Sequence, residues 1–273
     1  MAPVGLLFSR PRARMRPTLS QNKTTPAHRT GSHRPAVEAT TQAHRVKPVA
    51  EEPDYDVVTF DCYGTLIDWE TGIGEVFHEA LTGVERKTVS AKKLVALSDE
   101  EERRVEKEKP YKSYREVQSL AVKTIARKID WSHPDPDILS EALPRWKPFP
   151  DTNPSLERLA KSYTLGILSN VDNDLLAATL THFTVPFEII ITAEQVRSYK
   201  PRPAHFRAAR RVIGTNQWLH VAGSLYHDIE PATKLAISTI WVNRNKQKPV
   251  PSALRRTAKK VRNLTELANR LQG

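Results

Sequence analysis

The chain has 273 residues, 39% of them apolar and 27% charged, with a net charge of +11. This length and composition indicate a soluble globular protein, with one large domain or a core that carries an inserted subdomain. No stretch approaches the ~18–20 consecutive apolar residues of a membrane helix, so we predict no membrane partner. A single cysteine, Cys62, excludes an internal disulfide framework and a cysteine-based zinc site, and it favours a reducing compartment.

The N-terminal tail, residues 1–52, holds most of the positive charge. Residues 1–50 contain nine Lys/Arg and one acid, Glu38, which leaves 33 Lys/Arg against 30 Asp/Glu in the rest of the chain. The rest is therefore not a basic nucleic-acid platform, and we expect no nucleic-acid partner for it. The tail is rich in Arg, Thr, Pro and His without sustained periodicity, so we predict that it is disordered.

The first residues of the tail bear on localisation. Residues 4–8 are apolar and are followed by spaced arginines with almost no acids, a pattern similar to an organellar transit peptide. An unstructured N-terminus on a cytoplasmic protein gives the same pattern. We predict a cytoplasmic protein and keep the matrix of a mitochondrion or another organelle as the alternative.

After the tail, short apolar runs alternate with helical stretches. The run Val57–Phe60 stops at polar residues and Gly64, which predicts a buried parallel strand. Four similar runs follow much later, at Thr164–Leu168, Glu188–Thr192, Leu219–Ala222 and Thr239–Asn243. Helical stretches such as Asp172–His182 and Pro203–Ile213 lie between them. This alternation predicts an α/β fold, a doubly wound parallel sheet with helices on both faces.

The segment 69–147 differs in character from its surroundings. Its apolar spacing is heptad-like and its charge is dense, as in the run 99–104, which we interpret as a solvated helix face. We therefore predict a small all-helical insertion after the first strand. Pro148 and Pro150 mark the return to the sheet, so the predicted catalytic core comprises residues 53–68 and 148–273.

Polar side chains follow the predicted strands in order: Asp61, then Ser169 and Asn170, then Lys200, then Asp228. Open α/β sheets bind ligands at the carboxyl ends of their strands, so these side chains are candidates for a site. Each also has a structural interpretation. Asp61 could cap the next turn, the Ser–Asn pair could cap a helix, and Lys200 could be a surface lysine.

Taken together, the acid, the hydroxyl–amide pair, the lysine and the second acid resemble the haloacid dehalogenase (HAD) superfamily, whose pattern residues 55–245 follow throughout. The resemblance implies a HAD-like Rossmannoid core with a helical cap. It also implies a hydrolase in which Asp61 attacks the substrate and forms a covalent ester that water then breaks.

Tyr63 makes the resemblance more specific. The phosphatases of the superfamily carry a second aspartate at this position, which protonates the leaving alkoxide, whereas halide leaves without a proton. The segment 60–68 resembles the type II 2-haloacid dehalogenases, which displace halide from C2 of a short carboxylic acid and need no metal. The resemblance thus implies a small-molecule substrate and no cofactor.

The same resemblance implies a role for each candidate residue. Lys200 would hold Asp61 ionised and oriented, because a nearby cation lowers a carboxylate pKa by roughly 1–3 units. Asp228 would orient Lys200 or the hydrolytic water. The substrate-binding set would be Tyr63 lining the pocket, Thr65 and Ser169 on the carboxylate oxygens, and Asn170 beside the halide. We interpret His227 as a packing or surface histidine, and Cys62 as a buried filler.

The chain also departs from the dehalogenase pattern. Those enzymes hold the departing halide with a cap arginine, but no arginine occurs between Arg86 and Arg103, and Arg115 is a candidate substitute. Three further departures are Phe206, Gly223 and Leu225, in place of Tyr, Ser and Asn.

Two other functions stay open. The first is a Mg²⁺-dependent phosphatase of small metabolites, in which Asp61, Asp228 and a backbone carbonyl would hold the metal. Gly223 disfavours it, since this position holds the first metal-binding acid in phosphatases. The second is a binding module that has lost turnover, which the presence of Asp61 and Lys200 disfavours. A homodimer is also left open.

Overall fold

The computed structural model describes residues 54–81, 89–246 and 259–272, so the predicted tail and its localisation signal lie outside the described residues. The described strands form one parallel sheet in the order β3-β2-β1-β4-β5-β6. Their bounds are β1 Val57–Phe60, β2 Thr164–Ser169, β3 Ile189–Thr192, β4 Trp218–Ala222, β5 Ser238–Val242 and β6 Lys259–Val261. The predicted doubly wound α/β fold is confirmed.

The first five strands begin and end within one residue of their predicted bounds, because each is a continuous apolar run covered on both faces. All four residues of β1 are buried, and Thr59 pairs in register with Gly166 of β2 and His220 of β4. The sixth strand was not predicted. It has only three residues, two of them exposed lysines, and it lies at the sheet edge.

Helices surround the sheet. Those between β1 and β2 are α1 Trp69–Ala80, α2 Ala91–Val105, α3 Tyr114–Lys128 and α4 Ile138–Ala142, followed by a 3₁₀ turn at Leu143–Arg145 and by α5 Thr152–Leu159. Later in the chain come α6 Asn173–Leu180, α7 Ala193–Val196, α8 Ala204–Ile213, a π-helical turn at Leu225–Ile229, α9 Glu230–Lys234 and α10 Leu264–Gln272. None of the described helices is long and apolar enough to span a bilayer.

The four helices α1–α4 agree with the all-helical insertion expected for residues 69–147, while its exact boundaries and its action as a cap stay predictions. The insertion shares a continuous apolar interior with the core, because one hydrophobic cluster contains Phe60 of β1, Phe77 of α1, Val117 of α3 and Leu139 of α4. Each buried Phe or Leu contributes about 1.5–3 kcal/mol to the burial free energy.

A polar contact also ties the insertion to the core. The carboxylate of Asp172, after β2, accepts hydrogen bonds from the backbone N–H groups of Tyr114 and Arg115 at 2.8 and 3.1 Å. These are orphan donors at the start of α3, where a carboxylate also interacts favourably with the helix dipole. Asp172 therefore fixes α3 relative to the loop that carries Ser169 and Asn170.

Candidate active site

Asp61 directly follows β1 and lies at the carboxyl edge of the sheet. Its backbone N–H donates to the carbonyl of Val221 on β4 at 3.0 Å, which extends the strand pairing by one residue. The next residues form a tight turn in which Gly64 has a φ of +88°, a conformation that favours glycine. The turn brings Thr65 back to the strand end, where its hydroxyl donates to Oδ2 of Asp61 at 2.7 Å.

Lys200 joins the two candidate acids. Its Nζ donates to Oδ1 of Asp61 at 2.9 Å, to Oδ1 of Asp228 at 2.6 Å and to the carbonyl of Leu168 at 2.7 Å. Lys200 is only 1% exposed, so it is not a surface lysine. An ammonium group has three protons, and these three bonds use all of them. Lys200 is therefore a fixed charge between the two carboxylates.

The three groups of this cluster shift one another's pKa. Burial would lower the pKa of Lys200, but Asp228 and Asp61 together raise it above the ordinary value. Burial disfavours the charged form of Asp228, yet Lys200 and His220 hold its pKa well below the usual range. For Asp61, burial and the charge of Asp228 outweigh the opposing effect of Lys200 and Thr65, so its pKa lies above the ordinary value. Asp228 therefore loses its proton at a lower pH than Asp61 does.

A buried polar chain supports Asp228 from inside the sheet. Trp218 Nε1 donates to Oγ1 of Thr59 at 2.7 Å, Thr59 Oγ1 lies 2.8 Å from His220 Nδ1, and His220 Nε2 lies 3.1 Å from Oδ1 of Asp228. In the neutral tautomer with its proton on Nε2, His220 accepts from Thr59 and donates to Asp228. This chain of hydrogen bonds was not predicted from the sequence. The pattern that could have indicated it is a threonine and a histidine inside two apolar strands, which the fold places side by side.

The hydroxyl of Thr65 is bonded within the protein. It is fully buried, and besides donating to Asp61 its hydroxyl accepts from the backbone N–H of Gly223 at 2.8 Å. Its hydrogen-bonding capacity therefore serves the candidate nucleophile and the adjoining strand end. A role for Thr65 on the substrate carboxylate stays a prediction.

Asn170 is also committed to the protein. Its Nδ2 donates to Oε1 of Glu106 at 3.2 Å and to the carbonyl of Lys200 at 3.1 Å, while its Oδ1 accepts from the Lys200 N–H at 2.7 Å. Both amide protons are used, so Asn170 positions the Lys200 backbone in this structure. The hydroxyl of Ser169 is buried and has no partner among the described residues.

Tyr63 lines the cavity in front of Asp61, as predicted for the residue two positions after the nucleophile. Its hydroxyl lies 2.9 Å from Oγ1 of Thr179, which itself donates to the carbonyl of Leu175, so Tyr63 is the donor. Burial raises the pKa of Tyr63 well above its ordinary value. Tyr63 is therefore a poor proton donor to a leaving group.

A cavity of about 400 Å³ opens in front of this cluster, between the strand ends and the insertion. Its core side includes Asp61, Lys200, Asp228 and His227. Its insertion side includes Glu102 and Glu106, together with Tyr114, Trp146 and Arg103. The candidate nucleophile thus faces a wall built by the helical insertion.

The acids of α2 contradict part of the sequence interpretation. We expected the charge run 99–104 to be a solvated helix face, but Glu101 is 2% exposed and Glu102 lines the cavity. The remaining acid of the wall, Glu106, is 8% exposed and lies 3.7 Å, Oε2 to Nε2, from His227, which also lines the cavity. The direction of a helix face depends on tertiary packing, which a charge pattern does not encode.

Arg115 does not replace a cap arginine in this structure. Its guanidinium forms two bonds to Asp174, at 2.8 and 2.6 Å, and its side chain is 46% exposed. The insertion arginine that lines the cavity is Arg103, which bonds Asp99 at 2.9 Å and lies over the ring of Tyr226.

We tested whether the site suits a magnesium ion. A Mg²⁺ ion prefers near-octahedral oxygen ligands. Asp61 and Asp228 are both bonded to Lys200, and Gly223 offers no side-chain ligand. Within residues 54–81, 89–246 and 259–272, no group of three or more His, Cys, Asp or Glu side chains could hold a metal ion. The described donor set does not fit a magnesium centre.

Comparisons with known proteins give the family and the fold. The family model described as haloacid dehalogenase-like hydrolase matches residues 58–242. The structure of an L-2-haloacid dehalogenase superposes with a TM-score of 0.71 at 22% identity, covering 81% of this chain and 100% of that one. The L-2-haloacid dehalogenase from Xanthobacter autotrophicus, with chloropropionic acid covalently bound, gives 0.68 at 19% identity, covering 80% and 99%.

A phosphatase is also among the similar structures. The HAD phosphatase from Thermococcus onnurineus superposes with a TM-score of 0.52 at 22% identity, covering 80% of this chain and 98% of that one. Among curated proteins, no sequence matches this chain. At identities this low the structural likeness concerns the fold, and the reaction has to be argued from the site.

Proposed function

The chain belongs to the family of haloacid dehalogenase-like hydrolases, and on that premise we propose that it hydrolyses a small 2-haloacid through a covalent ester on Asp61. The observation that carries the proposal is the buried set in which Lys200 Nζ lies 2.9 Å from Asp61 and 2.6 Å from Asp228. This set holds a carboxylate nucleophile in one orientation at the floor of a cavity.

In the first step, a carboxylate oxygen of Asp61 attacks C2 of the substrate. The C2–halogen bond breaks and the halide leaves with the bonding pair, so no proton is needed. Lys200 and Thr65 hold the carboxylate in place through bonds of 2.9 and 2.7 Å, which reduces the orientational cost of the attack. The product of this step is an ester between Asp61 and the acid.

In the second step, water attacks the carbonyl carbon of that ester. The 2-hydroxy acid departs with one original oxygen of Asp61, and the water oxygen takes its place in the regenerated carboxylate. Lys200 faces the oxygen that becomes negative, since its Nζ already lies 2.9 Å from Oδ1. The net change consumes one water and releases one halide and one proton.

Two observations favour halide over alkoxide as the leaving group. Tyr63 stands where the superfamily's phosphatases carry an acid, and its hydroxyl is committed to Thr179 at 2.9 Å. Several structures similar to the fold are L-2-haloacid dehalogenases, one of them with chloropropionic acid covalently bound. The alternatives are a Mg²⁺-dependent phosphatase and a binding module without turnover.

The test compares two leaving groups. Halide release from 2-bromo- and 2-chloropropionate in EDTA is measured beside phosphate release from alkyl phosphates in Mg²⁺, with Asp61→Asn as the inactive control. We expect turnover of haloacids and, in a single turnover in ¹⁸O-water, label on the Asp61 peptide. Phosphate release without halide release would establish the phosphatase, and no turnover of either substrate would favour the binding module.

A further inference from the structure

Two acids of α2 and the acid that directly follows the helix lie on one face toward the cavity. Asp99, Glu102 and Glu106 are spaced by three and four residues, which puts them on the same side of the helix, and all three line the cavity with Asp61. Asp99 forms an ion pair with Arg103 at 2.9 Å, and Glu106 lies 3.7 Å from the imidazole of His227.

Glu102 has only neutral partners in the part of the chain that the structure describes. Gln118 Nε2 donates to its Oε1 at 2.8 Å, and the Tyr114 hydroxyl donates to its Oε2 at 3.1 Å. Gln118 also donates to the Tyr114 hydroxyl at 2.6 Å, so the two partners of Glu102 are bonded to each other. Glu102 is half-buried on the cavity wall. A partly desolvated acid near other acids holds its proton to higher pH unless a cation compensates the charge.

The pKa of Glu102 follows from this environment. Burial is the largest cause and raises the pKa to about 8; the charges of Glu106 and Asp99 raise it further, while Tyr114 and Gln118 oppose the rise. The same cavity is also lined by further titratable or charged side chains: Asp61, Tyr63, Asp68, Glu70, Arg103, Lys200, His227, Asp228 and Arg244. At neutral pH Glu102 is therefore mainly a carboxylic acid, which has a proton to donate.

Several other donors near the candidate nucleophile are already committed. All three protons of Lys200 and both amide protons of Asn170 bond protein acceptors. Arg103 bonds Asp99 through Nε, and the hydroxyl of Ser169 lines the cavity without a partner among the described residues. An additional donor is Trp146, which lines the cavity, is 5% exposed and has an indole N–H without a partner among the described residues.

We infer that Glu102 is a further substrate-contacting residue, whose carboxyl O–H donates a hydrogen bond to the departing halide in place of a cap arginine. This inference rests on the proposed function. The C2–halogen bonding pair leaves with the halide, the proton stays on Glu102, and the hydrogen bond spreads the developing charge. Trp146 offers a second neutral donor to the same anion.

The experiment uses chloride ion itself as the probe, so that it does not depend on turnover. Chloride binding is followed by ³⁵Cl NMR line broadening at pH 6.5 and 9.5 in the wild type, Glu102→Gln, Glu102→Ala and Glu100→Gln. Glu100 is an exposed acid of the same helix and serves as the matched control. Urea unfolding confirms that each variant is folded.

We expect the excess broadening of the wild type and of Glu100→Gln to fall at least fivefold between pH 6.5 and 9.5. Glu102→Gln keeps a neutral donor and should bind chloride equally at both pH values, whereas Glu102→Ala should lose most of the binding. The inference is overturned if the wild type shows no excess broadening, if Glu102→Ala binds as the wild type does, or if Glu102→Gln keeps the pH dependence.

Halide release separates this inference from the proposed function. Glu102→Ala should release halide roughly 10–100-fold more slowly, the effect of one charge-assisted hydrogen bond. Glu102→Gln should stay within a few-fold of the wild type but lose the decline near pH 8. If the wild type releases no halide, the proposed function fails, while the chloride measurement still decides whether Glu102 binds an anion. If the wild type releases halide but Glu102→Gln releases none, Glu102 acts by transferring its proton, and the inference of a hydrogen bond to the halide is overturned.

Discussion

Glu102→Gln should make the protein more stable, and the gain should grow with pH. In the unfolded chain Glu102 loses its proton near its ordinary pKa of 4.5, whereas in the folded protein the pKa is about 8. Below pH 4.5 both states hold the proton. Between these pH values only the folded state holds it, so the wild type loses stability as pH rises, and above pH 8 the loss is constant.

The size of the effect follows from the pKa shift. Each pKa unit corresponds to about 1.36 kcal/mol, and glutamine does not titrate. The free energy of unfolding of the variant minus that of the wild type should therefore increase by about 2–4 kcal/mol between pH 5 and 8. The lower figure allows for screening by water in the cavity.

Urea unfolding at pH 5, 6, 7 and 8 measures this difference, with Glu100→Gln as the control. The groups that titrate alike in both proteins drop out of the comparison, and equal m-values ensure that the same surface is exposed on unfolding. A difference between Glu102→Gln and the wild type that stays flat across these pH values would refute the idea that burial neutralises Glu102.

Three further substitutions test the strand ends. Lys200→Met leaves two buried carboxylates without their cation, so it should abolish halide release and cost about 3–5 kcal/mol of stability in urea; an active, stable variant would contradict the assigned cluster. Gly223→Ala would place its Cβ 2.5 Å from the carbonyl oxygen of Gly64. We therefore expect about 1–3 kcal/mol of destabilisation in urea and slower halide release. Unchanged stability and activity would show that the turn can shift without cost. Tyr63→Phe removes only the hydroxyl bonded to Thr179 and should keep halide release within a few-fold; a 100-fold loss would give that hydroxyl a part in the chemistry.

The sequence was sufficient to predict the sheet and the position of the central acids. Continuous apolar runs marked five strands, and the rule that ligands bind at the carboxyl ends of parallel strands placed Asp61, Lys200 and Asp228 at one edge. The structure adds that these three form one hydrogen-bonded cluster. A resemblance in residue order could suggest this cluster but could not give its distances.

What could not be predicted depends on contacts between distant segments. The sequence does not tell that Glu106 accepts a hydrogen bond from the amide of Asn170, or that His220 contacts the carboxylate of Asp228. A run of charges also does not tell which of its residues face inward, because the orientation of α2 about its axis depends on its packing against α1 and α3. Glu102 was for this reason interpreted as solvated, and its place on the cavity wall became visible only in the folded chain.

The location of the acid face on α2 has a consequence for how this enzyme could diverge. The groups of the proposed chemistry lie at the carboxyl edge of the sheet, whereas α2 and the residue after it supply much of the opposite wall. Mutations at positions 99 and 102 could then alter which leaving group or substrate tail is accepted without removing a bond to Asp61 or Lys200, whereas Glu106 is tied to Asn170. Selection, natural or in a laboratory library, has in this helical face a compact set of sites at which specificity can change while the strand ends stay the same.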